Sequence, residues 1–174
     1  WTSEELVQAL HGLHERGISE TRERIAAAAE ELLSDQVDFT YEGTFAEWLN
    51  FSNKCNCLVA SAIRIAGASA DGVLFNRPPT AGEWARGSNL PPNFSLVPAG
   101  DAAMRGDVVA QARDYRGATG HTAIMTSSSD LIHATGSIGL QRTTLTRTFP
   151  ANYPSATTPV RFIRYNGTPN PWIL

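Results

Sequence analysis

The two cysteines of the chain, Cys55 and Cys57, are its first candidates for chemistry. They stand at the start of NKCNCLVASAIRIAG, residues 53–67, where polar residues give way to an apolar segment typical of a buried helix. A thiol in the first turn of a helix lies near partial positive charge and unpaired backbone N–H groups, which lower its pKa and can stabilise an oxyanion. We therefore predict that Cys55 is a nucleophile with a lowered pKa and that Cys57 points to a different side.

Other interpretations of the two thiols are weaker. A disulfide between cysteines separated by one residue would close a ring far from normal disulfide geometry. A zinc site would need both cysteines with His11 and His14, but Cys-x-Cys without a glycine turn is not the spacing of a zinc knuckle. His11 and His14 are better interpreted as part of a solvated helix face. Taken singly, a buried cysteine is more often a small core residue.

Two histidines have the context expected of a base and its orienting group. A cysteine nucleophile needs a general base, and the base needs a group that holds it in place. His121 lies in GHTAIMTS and His133 in DLIHATG, two predicted strands joined by a short turn. Antiparallel pairing would set them side by side on one face. The sequence therefore predicts Cys55 as nucleophile, His121 as base and His133 as orienting group, with backbone N–H groups at the helix start as the oxyanion hole.

The first third of the chain is predicted to be helical. Leucines at helical spacing indicate a first helix, capped by Thr2 or Ser3 and ended by Gly17. Ser19 then suits the N-cap of a second helix, so we expect two antiparallel helices.

The central helix is predicted from Cys55 to Ala66, with Gly67 as its end. Residues 68–100, rich in proline and glycine, are predicted to be a long surface-running connection whose aromatic residues indicate a function.

The last third is predicted to be rich in strands. Short β-favouring runs are separated by glycine, serine or asparagine turns, and helices followed by antiparallel strands define the α+β class. The runs are GDVVAQA, GHTAIMTS, DLIHATG, GLQRTTLTR and PVRFIRYN.

Charge and hydropathy argue against two classes of partner. The 174 residues carry a net charge of −3, and their 14 lysines and arginines form no basic stripe, which argues against nucleic-acid binding. No apolar run approaches the roughly 20 residues that cross a bilayer, and no signal-peptide pattern opens the chain. Because the chain begins at Trp1 rather than methionine, we expect it to be an excised or processed piece.

The same residues resemble the motifs of papain-like cell-wall peptidases of the NlpC type. That family carries Asp-Cys-Ser-Gly-Phe-Val at the start of its central helix, a Gly-Asp-Leu-Val strand, a Gly-His-Val-Gly-Ile strand and a strand that ends Ile-His-Ala. The resemblance spans roughly residues 40–165. The matching stretches here are Lys54 to Val59, Gly106 to Val109, Gly120 to Ile124 and Ile132 to Ala134.

A subgroup of the family is more similar still. NKCNCLV, followed by RPPTAGEWA and RGDVVA, resembles NlpC-like domains of bacterial effectors that are used against rival cells. The resemblance implies an α+β papain-like fold, with an N-terminal helical segment over residues 1–36 and a catalytic domain over residues 37–174, expected to form one compact unit.

The same resemblance implies a cysteine hydrolase that cuts amide bonds in peptidoglycan peptide stems, with the bond between D-glutamate and the diamino acid favoured. It implies no metal or organic cofactor and no nucleic-acid or membrane partner. It further implies an antibacterial toxin with a cognate immunity protein, secreted or delivered to the periplasm of a target bacterium.

Some positions depart from the family pattern. Lys54 replaces an Asp that holds the free amine of the stem peptide, and Cys57 replaces a glycine. Tyr41, Asn56 and Trp84 are expected to contact the substrate. Two alternative functions fit the same residues: a papain-like acyltransferase or deamidase acting on a protein target, and a catalytically dead binding domain.

Overall fold

The structure, a computed structural model, describes residues 2–39 and 54–167. In these ranges it is an α+β protein in which helices pack against one six-stranded sheet with the order β1-β6-β2-β3-β4-β5. All neighbouring strands are antiparallel, so the predicted class and strand direction are confirmed. The elements are α1 (Ser3–Ser34), α2 (Lys54–Ile65), α3 (Ala81–Arg86), β1 (Phe94–Leu96), β2 (Val108–Tyr115), β3 (Ala118–Met125), β4 (Asp130–Thr135), β5 (Gly139–Thr144), α4 (Leu145–Thr148) and β6 (Arg161–Tyr165).

The N-terminal segment is one continuous helix, so the predicted pair of antiparallel helices is wrong. Thr2 and Glu5 form a capping box at its start: the Glu5 N–H donates to the Thr2 hydroxyl at 3.2 Å, and the Thr2 N–H donates to the Glu5 carboxylate at 2.7 Å. Gly17 lies inside the helix, where glycine costs about 1 kcal/mol relative to alanine but does not by itself end a helix. Packing of the second half of α1 against the protein core favours continuation of the helix.

Helix α2 ends at Ile65, one residue before the predicted end, and Gly67 stops it as predicted. This glycine has φ of 82°, a left-handed conformation that residues with a Cβ rarely adopt. The Gly67 N–H donates to the Arg64 carbonyl at 3.0 Å and the Ala68 N–H donates to the Ile63 carbonyl at 3.1 Å. These two bonds form a Schellman motif, which satisfies carbonyls at the end of the helix.

Apolar side chains cover both faces of the sheet, but unequally. The larger cluster joins the second half of α1, helix α2 and one face of the central strands, and a smaller cluster occupies the opposite face. Because side chains alternate along a strand, neighbouring residues of β2, β3 and β4 belong to different clusters. The larger cluster takes Val108, Ala110, Ala112, Ile124, Ile132 and Ala134 from these strands, and the smaller one takes Val109, Ala123, Met125 and Leu131.

The predicted long connection contains two regular elements, which corrects that prediction. Thr80 and Glu83 form a second capping box that begins α3, and Gly87 ends this helix with φ of 69°. Strand β1 follows and pairs with β6 at the edge of the sheet. The sequence signal for α3 is the Thr-x-x-Glu pattern at Thr80, which the high proline content around it masks.

Candidate active site

Cys55 occupies the second residue of α2 and is 2% exposed. Its thiol donates a long hydrogen bond to the side-chain oxygen of Asn56 at 3.7 Å. Backbone N–H groups of Thr122, Asn56 and Cys55 itself are directed at the sulfur. Cys55 also lines a cavity of about 360 Å³ together with His121. The predicted nucleophile therefore lies at a helix start, next to the strand that carries the predicted base.

An interruption of the sheet explains how the Thr122 N–H reaches the sulfur. The ladder between β3 and β4 consists of Ile124 with Ile132 and Met125 with Leu131, and stops before it reaches Thr122. The Met125 N–H donates to the Asp107 carbonyl on the β2 side. Since N–H direction alternates along a strand, the Thr122 N–H points to the β4 side, where the ladder has ended. It is therefore available to the thiol of the overlying helix.

His121 and His133 form the hydrogen-bonded pair that the strand pattern predicts. His121 Nε2 and His133 Nδ1 are 2.8 Å apart, and the two rings meet edge to face with centroids 5.1 Å apart. The ring of Phe149 lies beside His121, with centroids 5.5 Å apart, and limits its movement. The predicted adjacency of the histidines is confirmed, whereas their catalytic role stays a prediction.

The glycine before His121 is needed for this placement. Gly120 has φ of 149°, and a Cβ atom at this position would overlap the backbone of Gln111 and Ala112 on β2. The close approach of the two strands therefore requires glycine, directly before the predicted base.

Gln141 extends the histidine pair and was not predicted. It stands opposite His133 in the ladder between β4 and β5, and its side chain hydrogen-bonds to His133. Burial lowers the pKa of His133, while the bond to Gln141 opposes this effect, as expected of an amide oxygen that accepts the imidazole proton. The turn between Thr135 and Gly139 was the available signal, because a tight hairpin there sets Gln141 opposite His133.

A hydrogen bond from His133 Nε2–H to the Gln141 oxygen would fix the tautomers of both rings. If the Gln141 oxygen accepts from His133 Nε2–H, then His133 Nδ1 is an acceptor and must receive the proton from His121 Nε2. The remaining nitrogen of His121, Nδ1, then carries a lone pair. A neutral imidazole in this tautomer is a base for a thiol on its Nδ1 side.

Burial sets the protonation states of the site. It lowers the pKa of His121 to about 3, with smaller contributions from His133 and Arg113. It also raises the pKa of the Cys55 thiol to about 11, against the opposite effect of the N–H groups of Thr122 and Asn56. The expected lowered thiol pKa is therefore corrected, because desolvation outweighs the helix start. At neutral pH the resting site holds a thiol and a neutral imidazole.

A second cavity, of about 780 Å³, also borders the histidine pair. It is lined by His121, His133, Gln141 and the guanidinium of Arg113. Arg113 donates to the Gln111 side-chain oxygen at 2.9 Å and to the Thr148 carbonyl at 2.7 Å, and it stacks on the ring of Tyr153 at 3.7 Å. These contacts fix a positive charge near both histidines, and this charge helps to keep the imidazoles neutral.

The other predicted site residues have different outcomes. Trp84 is 1% exposed and packs edge to face on Phe94 in the core, so the expected substrate contact is corrected. Asn56 is 5% exposed beside the thiol, and its contact with substrate stays a prediction. Tyr41 lies outside the described residues.

Cys57 is buried in the larger apolar cluster, and the two cysteines are not joined in a disulfide. Among residues 2–39 and 54–167, no group of three histidine, cysteine or acidic side chains is placed to hold a metal ion. In the same ranges no helix has the length and apolar character needed to span a bilayer.

No family model matches the chain, and no curated protein matches it. The resemblance to NlpC-type peptidases therefore stays a prediction that rests on the motifs quoted above.

Proposed function

We propose that the protein is a cysteine amide hydrolase of the NlpC type that cuts the peptide stems of bacterial peptidoglycan. The observation that carries this proposal is the hydrogen-bonded pair of His121 and His133 beside the cavity that Cys55 lines. Cys55 lies at the start of α2, and His121 and His133 lie on the neighbouring strands β3 and β4. The motifs predict the same order of nucleophile, base and orienting group along the chain.

The acylation step starts from a neutral thiol and a neutral imidazole. As the Cys55 sulfur bonds to the carbonyl carbon of the substrate amide, the thiol proton passes to His121 Nδ1 and the carbonyl oxygen takes the negative charge. The Cys55 backbone N–H at the start of α2 is the candidate donor to that oxyanion. The carbon–nitrogen bond then breaks, and His121 gives its proton to the leaving amine.

Deacylation repeats these transfers with water. His121 accepts a proton from water as its oxygen attacks the thioester carbon, the carbon–sulfur bond breaks, and the proton returns to the sulfur. The products are a carboxylic acid and the free thiol, so atoms and charges balance. His133 and Gln141 do not bond to substrate in this scheme; they hold the His121 tautomer and stabilise the imidazolium that forms twice per cycle.

Purified muropeptides test the reaction directly. Mass spectrometry should detect stem fragments whose summed mass exceeds that of the substrate by one water. Cys55→Ala should abolish the fragments, and Cys57→Ser is the matched control that should keep them. Intact muropeptides in the presence of a folded protein would contradict the proposal and favour an acyltransferase or deamidase acting on a protein target.

The proposed role as an antibacterial toxin with an immunity partner rests on the resemblance to effector domains. Peptidoglycan stems lie outside the cytoplasmic membrane, so the site of expression matters. Expression in the cytoplasm of a Gram-negative host should do little harm, whereas fusion to a periplasmic export signal should cause lysis that Cys55→Ala removes. Toxicity confined to the cytoplasmic form would contradict the cell-wall substrate.

A further inference from the structure

Lys54, directly before the proposed nucleophile, is a buried cation. It is the single lysine of the chain and the first residue of α2, and it is 3% exposed. Within the described part of the chain, its ammonium nitrogen has no hydrogen-bond partner. A buried, unpaired ammonium group is unfavourable, because it loses hydration and gains no compensating bond. The position therefore lowers the stability of the free protein.

The cavity that Lys54 lines is suited to a negatively charged ligand. It also holds Cys55 and His121, and its second cation is the exposed Arg116. None of the described residues that line it is acidic. The start of α2 adds the partial positive charge of a helix N-terminus. An anion that enters this cavity would lie beside Lys54, whose buried ammonium group has three donors without a partner, and beside Cys55.

We propose that Lys54 binds a carboxylate of the substrate next to the scissile amide, which makes the protein selective for acidic peptides. This inference rests on the proposed function, because it assigns a specificity group to the same site. The substrate carboxylate supplies the partner that the buried ammonium lacks in the free protein. A charge-assisted hydrogen bond of this kind corresponds to about tenfold or more in kcat/KM.

A comparison of two small alkylating reagents tests the charge effect without any peptide. Iodoacetate carries a carboxylate where iodoacetamide carries a neutral amide, and both alkylate Cys55 with loss of iodide. Relative to a free thiol in solution, the wild-type protein should prefer iodoacetate by about tenfold. Lys54→Met should remove this preference and Lys54→Arg should keep part of it. Arg16→Met is the control, since Arg16 is an exposed cation on α1 that lines neither cavity.

The stability of the variant separates substrate binding from a structural role. Because Lys54→Met removes an unpaired buried charge and keeps a similar side-chain length, its Tm should equal or exceed that of the wild type. A clear fall in Tm would show that the ammonium group is satisfied within the folded protein, and this result would overturn the inference.

Two matched peptide substrates complete the test. One carries D-glutamate with a free α-carboxylate at the scissile bond, and the other carries the corresponding amide. Wild-type kcat/KM should favour the carboxylate by about tenfold, and Lys54→Met should lose that preference. Equal cleavage of both peptides without a preference for iodoacetate overturns the inference and leaves the hydrolase function intact. A preference for iodoacetate without cleavage of either peptide supports the anion site and contradicts the hydrolase function.

Discussion

The two faces of the central strands β2, β3 and β4 carry out different tasks. On the face covered by α1 and α2, most of the side chains are aliphatic and buried, as with Ile124 and Ile132. On the opposite face, the same strands present His121, His133 and Arg113, which form hydrogen bonds. One strand can therefore contribute aliphatic side chains to the larger cluster through one set of alternate residues and histidines to the candidate site through the other.

Cys55 connects the two faces. Its backbone belongs to the helix that covers the aliphatic face, yet its sulfur meets the strand that bears His121. The early end of the ladder between β3 and β4 allows this contact, because it leaves the Thr122 N–H unpaired within the sheet. We therefore expect changes to the aliphatic residues of either face to lower stability, and changes to His121 or His133 to lower the rate.

The largest expected effect is on turnover. Cys55→Ala and His121→Ala should each lower kcat on muropeptides by about 10³-fold or more, and the double variant should be little worse, because nucleophile and base act as a unit. Circular dichroism should show a preserved fold. Cys57→Ser is the control within the same helix. If that variant is folded but equally inactive, the assignment of Cys55 is wrong.

Alkylation of Cys55 should depend steeply on pH. Because burial raises its pKa to about 11, the rate with iodoacetamide should rise by about tenfold per pH unit from pH 7 to pH 10. Mass spectrometry of the peptide that contains Cys55 gives the rate at each pH. If the alkylation rate is already independent of pH below pH 8.5, the site instead holds a thiolate paired with an imidazolium. The surroundings of the sulfur would then be more polar than those in the structure.

On the aliphatic face, Ile124→Ala should lower the free energy of unfolding by about 2–5 kcal/mol, because Ile124 is 0% exposed between the sheet and the helices. Denaturant unfolding measures the change, and kcat per folded molecule should stay constant. The control is Ile138→Ala, the same substitution at a side chain that is 65% exposed, which should change stability by less than about 0.5 kcal/mol. Similar losses from both would remove the distinction between the faces.

Acid should destabilise the protein through the histidine face. The His121 pKa is about 3 in the folded protein and about 6.5 when unfolded, so between these values the unfolded chain binds a proton that the folded protein does not. The contribution is fully present above pH 6.5 and is lost as the pH falls towards 3. Allowing for partial exposure, it is about 2–4 kcal/mol. Denaturant unfolding at pH 7, 5 and 4 should show this slope, and His121→Gln should reduce it.

The smallest expected effect concerns Gln141, which positions His133. Gln141→Leu removes the acceptor for His133 Nε2–H and should lower kcat by about tenfold, whereas Gln141→Glu, which keeps an oxygen acceptor, should recover most of the loss. His133→Gln should likewise keep more activity than His133→Ala. The pH profile of kcat is the distinguishing measurement, since a purely structural role of Gln141 would lower stability without moving the acid limb.

Local signals in the sequence were sufficient for much of the framework. The apolar run after Cys55 and the glycine at position 67 predicted α2 and its end, and the short β-favouring runs predicted strands β2 to β6. The adjacency of His121 and His133 followed from strand pairing across a short turn. The break at Gly17 was wrong, because a glycine inside a helix is an ambiguous signal that long-range packing resolves.

The sequence predicted α2, the strands β2 to β6 and the candidate reactive residues, because helix ends and strand periodicity depend on neighbours in the chain. The environment of those residues depends on the tertiary structure. The pKa of Cys55 depends on what covers the thiol, the role of Gln141 depends on the register of β5, and the unpaired ammonium of Lys54 depends on which residues surround it. Desolvation and hydrogen bonding depend on atoms that are distant in sequence. A local pattern can therefore predict a nucleophile but not its protonation state, which depends on how the folded protein packs around it.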